Sequence, residues 1–168
     1  MTPSETQVLD HDQIVNRVQR IAWQIYENYI SEKEIVIAGI KSGGFDLAQL
    51  IAKKVTEISS LEVSLHQIVL NKKDLINSQI ELIPGATNFK AKNIVVIDDV
   101  LNTGSTLLFG VKYFLDFKVK SIKTVVLVDR NHKDFPIKAD FKGLSLSTNL
   151  KEHVEVQLNK KPFAVEVS

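Results

Sequence analysis

Residues 94–107 read IVVIDDVLNTGSTL, and this stretch decides the fold. It begins with a short run of β-branched residues, which is typical of a strand buried on both faces in a parallel sheet. The run ends in Asp98 and Asp99, and a loop of hydroxyl residues with one glycine follows. We therefore expect two carboxylates at the carboxyl end of a strand, where open α/β sheets bind their ligands.

The loop after the acid pair predicts a phosphate site. Thr103, Ser105 and Thr106 lie where the next helix must begin, and the unpaired amides and positive dipole end of a helix favour an anion. Gly104 lets the backbone approach that anion closely. The alternative is an ordinary strand and loop with a hydroxyl N-cap, in which the carboxylates are merely solvated. Neither a P-loop pattern nor a dinucleotide-binding glycine pattern follows a strand in this sequence.

The rest of the chain alternates between helical and strand patterns. A capping-box pattern at Asp10–Gln13 begins a helix, further helical patterns cover 45–55 and 105–117, and apolar strand runs cover 35–40, 63–70 and 124–128. Short alternating segments at 141–146, 154–158 and 163–167 predict edge strands or a small hood. Strands separated by helices predict a mainly parallel twisted sheet flanked by helices. We expect one α/β domain over residues 1–168, with residues 1–9 as a loose tail.

Composition limits the classes of function. The 168 residues include 21 basic and 20 acidic side chains, so no overall field attracts nucleic acid. Cysteine does not occur, which excludes a disulfide framework. The start has no signal-peptide order, and no apolar stretch approaches the roughly 20 residues of a membrane span. We therefore expect a cytoplasmic protein without a membrane partner. The four histidines lack metal-site spacing, so we expect no dedicated protein metal site.

Residues 97–107 resemble the phosphoribosyl-pyrophosphate signature of type I phosphoribosyltransferases. Residues 126–143 are similar to a segment of the PyrR-like family of pyrimidine operon attenuation regulators and uracil phosphoribosyltransferases. Residues 39–44 and 20–22 match that family more loosely, so the resemblance covers nearly the whole chain. It implies the single-domain type I phosphoribosyltransferase fold with a small hood.

The resemblance implies a reaction and a set of roles. The enzyme would transfer 5-phosphoribosyl from phosphoribosyl pyrophosphate to a free nucleobase, with uracil as the expected base and Mg²⁺ as the cofactor that bridges substrate oxygens. The catalytic carboxylates would be Asp98 and Asp99, which accept from the ribose hydroxyls and stabilise developing positive charge. The implied substrate-binding residues are Asn102, Thr103, Gly104, Ser105 and Thr106 for the 5′-phosphate, Lys41, Ser42, Gly43 and Gly44 for pyrophosphate, and Asp129, Arg130 and Phe141 for the base.

Two of the implied substrate-binding sites also have ordinary structural interpretations, and the sequence departs from the family pattern at two places. Residues 41–44 fit a plain strand-to-helix turn, and Phe141 fits a core position. Gly43 stands where the family usually has an arginine, so we expect Gly43→Arg to lower the Michaelis constant for phosphoribosyl pyrophosphate. Residues 70–93 correspond to a mobile loop that closes over the substrate, here shorter and with Asn71, Lys72 and Lys73 in place of an aromatic residue, an arginine and an acid.

A second function from another class stays open. A nucleotide-sensing regulator that binds RNA would need a local basic face. Arg20, His132, Lys133 and Lys138 match positions that the family uses for RNA, whereas Gln19, Trp23, Asn28 and Leu144 depart from that pattern. A pocket that binds a ligand and does neither is the third possibility. The resemblance also implies a homodimer or higher homo-oligomer.

Overall fold

The computed structural model describes residues 5–86 and 88–168, which form three helices and nine strands. The helices are α1 (His11–Asn28), α2 (Gly43–Ile58) and α3 (Ser105–Leu115). The strands are β1 (Thr6–Leu9), β2 (Glu34–Ile40), β3 (Glu62–Val69), β4 (Glu81–Ile83), β5 (Asn93–Leu101), β6 (Ser121–Asp129), β7 (Phe141–Ser145), β8 (Val154–Gln157) and β9 (Ala164–Val167).

Six of the strands form a mainly parallel sheet in the order β4-β3-β2-β5-β6-β7. Only β4 runs antiparallel to its neighbour, β3. Helices α1 and α2 pack on one face of the sheet over a shared apolar cluster, and α3 packs on the other face over a second cluster. The predicted architecture, a mainly parallel sheet flanked by helices, is confirmed. The sheet is parallel because β2-α2-β3 and β5-α3-β6 are crossover units.

The predicted hood is a separate three-stranded antiparallel sheet in the order β1-β9-β8. The loose tail expected at residues 1–9 is wrong for Thr6–Leu9, which is β1. Thr6 pairs with Val167, and Leu9 is 2% exposed in the core, so burial and strand pairing fix this segment. Residues 1–4, which also belong to the expected tail, lie outside the described residues.

The segment expected to be a mobile loop, residues 70–93, is partly built into the fold. Strand β4 pairs with the end of β3, and the Phe89 side chain is 2% exposed, between the rings of His66, Phe114 and Phe117. Thr87 lies outside the described residues. Only the first part of the segment therefore resembles a loop that could close over a ligand.

The predicted helix start at Asp10 is confirmed. The Gln13 amide donates to Asp10 Oδ1, and the Asp10 amide donates to Gln13 Oε1, both at 2.9 Å, which is a complete capping box. Among the helices of the described ranges, none has the length and apolar character needed to cross a membrane.

Candidate functional site

A cleft of about 300 Å³ opens at the carboxyl end of β5. It brings together most of the predicted phosphate and ribose residues, since its lining includes residues 98–104 with Thr106 and Leu107. The hood contributes residues 153–156, and the loop after β3 contributes Lys72. The edge of the sheet that the sequence predicts as the ligand site is thus the floor of a covered cleft.

The acid pair is held by its own backbone. The Asp99 amide donates to Asp98 Oδ1, and the Val100 amide donates to Asp99 Oδ1, both at 2.9 Å. Asp98 is 4% exposed. Burial and then repulsion from Asp99 raise the pKa of the Asp98 carboxyl well above its usual range, although the Lys72 ammonium acts in the opposite direction. The Asp98 carboxyl therefore loses its proton less readily than an ordinary aspartate.

The phosphate loop is shaped by Gly104. This residue has φ of +92° and is the N-cap of α3, and a Cβ on it would lie 2.5 Å from Ile137 Cγ2. Because glycine has no side chain that can cap α3, amides at the start of the helix are left for other acceptors. The Thr103 hydroxyl lies 3.1 Å from Ser105 Oγ and accepts a long bond, 3.3 Å, from the Ser105 amide. Hydroxyls and amides are thus concentrated at one helix terminus, as an anion site requires.

The loop between β2 and α2 lies against the acid pair, because β2 is the neighbour of β5 in the sheet. A Cβ on Gly44 would lie 2.9 Å from Asp98 Cα, and a Cβ on Gly43 would lie 2.1 Å from Asp99 Oδ2. Repulsion from Asp99 also adds to the burial that raises the pKa of Asp46, in the first turn of α2. An arginine at residue 43 therefore cannot simply add a cation as expected, since the Asp99 carboxylate would first have to move.

Asp129 ends β6 outside the lining of the cleft. It is 2% exposed, and its carboxylate accepts from the Asn131 amide and from the ammonium groups of Lys133 and Lys142, at 3.1, 3.3 and 3.4 Å. Burial raises the pKa of Asp129, but these donors outweigh it and leave the pKa below its usual value. Its negative charge is already compensated within the protein.

Arg130 also lies outside the lining of the cleft, on the far side of the phosphate loop. Its guanidinium donates to Thr148 Oγ1 at 2.9 Å, to Asn102 Oδ1 at 3.0 Å, and to the carbonyls of Asn149 and Glu152 at 3.1 and 2.7 Å. The side chain therefore joins the phosphate loop to the segment that precedes β8.

Phe141 is half-buried against the core that α1 and α2 cover, and it does not line the cleft. The neighbouring carbonyls of Lys142 and Gly143 accept from Arg20, and that of Gly143 also accepts from Arg17. The structural interpretation of Phe141, a core aromatic residue, is the one that these contacts support.

The hood residues of the cleft, 153–156, were absent from the sequence-based set of site residues. The segment was expected to be a hood strand, but nothing in its local pattern shows which edge of the strand faces the cleft. Glu155, a charge between Val154 and Val156, is the one local signal of a strand with a polar side.

Within residues 5–86 and 88–168, no group of three or more His, Cys, Asp or Glu side chains is arranged to hold a metal ion. Asp98 and Asp99 are nevertheless adjacent carboxyl groups that line the cleft, and such oxygen ligands fit the few protein contacts that Mg²⁺ requires.

Comparison with known proteins places the chain among phosphoribosyl transferases. A family profile described as "Phosphoribosyl transferase domain" matches residues 4–161. The proteins called bifunctional protein PyrR from Haemophilus ducreyi and Bacillus pumilus are 32% and 34% identical to the chain, cover 89% and 91% of it, and match over 88% and 90% of their own lengths.

Solved structures with the same fold include a hypoxanthine-guanine phosphoribosyltransferase from Bacillus anthracis, with a TM-score of 0.77, 21% identity, and coverage of 97% of this chain and 98% of that one. A hypoxanthine phosphoribosyltransferase from Trypanosoma cruzi has a TM-score of 0.78 and 15% identity, with coverage of 96% and 95%.

We expect Asp98→Asn to stabilise the ligand-free protein at neutral pH. The pKa of an aspartate in an unfolded chain is about 3.9. An acid with a higher pKa in the folded protein keeps its proton over a pH range in which the unfolded chain has already lost it. The free energy of unfolding therefore falls as pH rises toward the pKa of the folded protein. The asparagine removes this loss and keeps an oxygen for the Asp99 amide, so the variant should be more stable than the wild type at pH 7.

Urea denaturation between pH 4 and pH 8 measures the difference in the free energy of unfolding between Asp98→Asn and the wild type. It should shrink toward zero at pH 4, while Glu27→Gln, an exposed change on α1, should follow the wild type throughout. A variant that is less stable at pH 7, or a gain independent of pH, would contradict the high pKa of Asp98.

Proposed function

This chain belongs to the phosphoribosyl transferase family, and we propose that it transfers the 5-phosphoribosyl group of phosphoribosyl pyrophosphate to uracil, giving the nucleoside monophosphate and pyrophosphate. The observation that carries the proposal is one cleft in which a carboxylate pair, with Asp98 buried and Asp99 half-buried, adjoins a glycine-capped helix terminus. A ribose phosphate has the two matching halves, a hydroxyl-bearing ring and a phosphate dianion.

The 5′-phosphate would bind residues 102–106. The amides at the start of α3 and the hydroxyls of Thr103, Ser105 and Thr106 are donors, and the positive end of the helix dipole favours the dianion. Gly104 allows a phosphate oxygen to approach the backbone, since its positive φ turns the loop without a side chain in the way.

Asp98 and Asp99 would accept from the ribose 2′ and 3′ hydroxyls. When the base nitrogen displaces pyrophosphate, the ribose becomes oxocarbenium-like, and a carboxylate beside it stabilises the positive charge in a water-poor cleft. The raised pKa of Asp98 is consistent with this role, because positive charge on the ribose stabilises the ionised carboxylate.

Pyrophosphate would leave beside residues 41–44, which lie against the acid pair. Lys41 is the basic residue of that loop, and its amide donates to the Ile68 carbonyl at 2.9 Å, which fixes the start of the loop. Mg²⁺, when bound, would be held by substrate oxygens with Asp98 or Asp99 and would neutralise charge on the pyrophosphate leaving group.

The base would lie along β8. In the hood, His153 and Ser168 exchange both backbone hydrogen bonds, at 2.8 and 3.0 Å. Antiparallel pairing alternates, so Glu155 bonds to β9, and the N–H and C=O groups of Val154 and Val156 point to the other side of β8. That side is the free edge of the hood, and consecutive residues of it line the cleft. One strand residue therefore offers a donor and an acceptor to the lactam edge of a base.

Uracil rather than a purine is supported by the resemblance of the chain to PyrR proteins. The chain has the PyrR-like pattern at residues 126–143, and its matches to bifunctional PyrR proteins cover most of its length. The hypoxanthine phosphoribosyltransferases share its fold but are only 21% and 15% identical to it in sequence.

The RNA-binding alternative receives less support from the contacts. Three of the four basic side chains that match RNA-binding positions already have protein partners. Arg20 donates to the carbonyls of Lys142 and Gly143, His132 contacts the Thr148 carbonyl, and Lys133 donates to Asp129. These contacts use part of the donor capacity of each side chain and hold it toward the protein.

We expect nucleotide formation from phosphoribosyl pyrophosphate, Mg²⁺ and uracil, with lower rates for hypoxanthine, guanine, adenine and orotate in parallel assays. The Asp98→Asn, Asp99→Asn double variant should be inactive but folded, because it removes the carboxylates and keeps their size. Turnover of the double variant at the wild-type rate would contradict the role of the acid pair. Wild-type turnover with a purine alone would contradict uracil, and no turnover with any base would contradict the enzyme.

Gly43→Ala should reduce kcat/KM for phosphoribosyl pyrophosphate on the order of tenfold, because its Cβ displaces the Asp99 carboxylate from the ribose. The alanine variant is the matched control for Gly43→Arg, which adds the same Cβ and also a cation. We expect the arginine variant to have a lower KM than the alanine variant. Steady-state kinetics of the alanine and arginine variants test this expectation. Equal KM values would show that a cation at residue 43 does not affect the binding of phosphoribosyl pyrophosphate.

Val156→Pro should raise the KM for the base more than Val156→Ala does, because both lose packing against the core but only the proline removes an N–H from the free edge of β8. Glu155→Pro removes an N–H that bonds to β9, so its cost in stability relative to Glu155→Ala should be about 1 kcal/mol larger than that of Val156→Pro relative to Val156→Ala. Thermal melts and base titrations compare each proline variant with the alanine variant at the same residue. The reverse order of stabilities would contradict the assigned pairing of β8.

A further inference from the structure

Arg130 has almost no hydrogen-bonding capacity left for a substrate. A guanidinium carries five N–H donors in a fixed fork. Nε donates to Thr148, one Nη1 hydrogen is directed to Asn102, and Nη2 donates to the carbonyls of Asn149 and Glu152. Protein acceptors thus take four of the five donors. A residue that held a phosphate would present its fork to the cleft instead.

The acceptors of Arg130 lie in the phosphate loop and in the segment just before the hood wall of the cleft. Asn102 is part of the phosphate loop, while Asn149 and Glu152 belong to the segment that leads into β8. The Arg130 amide also donates to the Leu101 carbonyl at 3.1 Å, which fixes the end of β6 beside the end of β5. The arginine is therefore anchored to the main sheet and extends its side chain to the loop and the hood.

The contact with Asn102 also sets the direction of a donor. Because the Asn102 Oδ1 atom accepts from Arg130, the amide group is oriented with its NH₂ end away from the guanidinium. Asn102 lines the cleft, so that NH₂ end is the part of the side chain available to an anion there.

We propose that Arg130 is a positioning residue that joins the phosphate loop to the hood, orienting Asn102 toward the phosphate and fixing the distance of β8 from the acid pair. The inference rests on the proposed function, since it concerns the same cleft. It assigns no contact between Arg130 and substrate, and it requires a planar fork rather than a positive charge. Lysine, a point charge with three donors, cannot span these acceptors.

The first test is made on the ligand-free protein. Arg130→Gln and Arg130→Lys should both accelerate amide hydrogen exchange across residues 149–156, about tenfold or more, because the segment loses the side chain that ties it to the sheet. Arg17→Gln is the matched control, since Arg17 also donates to a backbone carbonyl, that of Gly143, but lies away from the cleft. Unchanged exchange in both Arg130 variants would overturn the proposal.

The second test separates positioning from general stabilisation. Asn102→Ala should raise only the KM for phosphoribosyl pyrophosphate, whereas Arg130→Gln should raise that KM and the KM for the base, each on the order of tenfold. The double variant should have the same KM for phosphoribosyl pyrophosphate as Arg130→Gln. Once Arg130 no longer orients Asn102, the asparagine contributes little to binding, so its removal has no further effect. Additive effects, or a lowered Tm with wild-type Michaelis constants, would overturn the proposal.

Rescue by lysine separates positioning from direct contact. If Arg130 served the substrate through its charge, Arg130→Lys would restore most of the affinity, and this result would overturn the proposal. If Arg130→Gln does not fold, Thr148→Val removes the Nε acceptor at nearly constant shape and should shift the exchange of residues 149–156 in the same direction.

Calorimetry with phosphoribosyl pyrophosphate and Mg²⁺ distinguishes a failure of the proposed function from a failure of this inference alone. A wild type that neither binds nor turns over contradicts the proposed function, and with it this inference, whereas equal binding by wild type and both Arg130 variants contradicts the inference alone.

Discussion

The parallel pairing of β5 with β2 and β6 is the constraint on which the rest of the site depends. Gly39 pairs with Ile97, and Leu101 pairs with Asp129, so three consecutive neighbours in the sheet end at one edge. Side chains alternate along a strand, so a shift of one residue would turn Asp98 to the opposite face. The register is fixed by burial, since residues 94–97 are fully buried between two layers of helices. Apolar packing therefore determines where the carboxylates lie.

Two buried acids at neighbouring strand ends have opposite electrostatic surroundings. Asp98 and Asp129 are 4% and 2% exposed, yet the pKa of Asp98 is raised and that of Asp129 is lowered. Burial raises the pKa of both acids. At Asp98 repulsion from Asp99 adds to burial and the Lys72 ammonium does not outweigh them, whereas at Asp129 the donors, which include Lys133 and Lys142, outweigh burial. In the proposed reaction, further positive charge beside Asp98 would come from the ribose and Mg²⁺.

Local patterns in the sequence predicted the strand, the loop and the helix around Asp98, because each is decided by residues close in the chain. The hood was harder to predict, since Thr6–Leu9 is short and half polar, and its partner β9 lies at the other end of the chain. The direction of a long side chain was the least predictable feature. Arg130 follows a strand at the expected edge of the sheet, but its acceptors are oxygens 18 to 22 residues later and in the phosphate loop. No residue pattern encodes which way such a side chain turns.

Gly43 connects the sequence departure to the geometry of the acid pair. Taken alone, the loss of the family arginine removes a cation from the leaving-group side of the site. In the structure, however, the Asp99 carboxylate occupies the space that any side chain at residue 43 would enter, with Oδ2 2.1 Å from the position of a Cβ. A side chain at residue 43 and the present conformation of Asp99 therefore exclude one another. Because Asp99 also repels Asp98 and Asp46, the conformation that glycine permits gathers three acidic groups at this end of the cleft and raises the pKa of two of them. A site of this kind depends on cations that arrive with the substrate more than one with a resident arginine does.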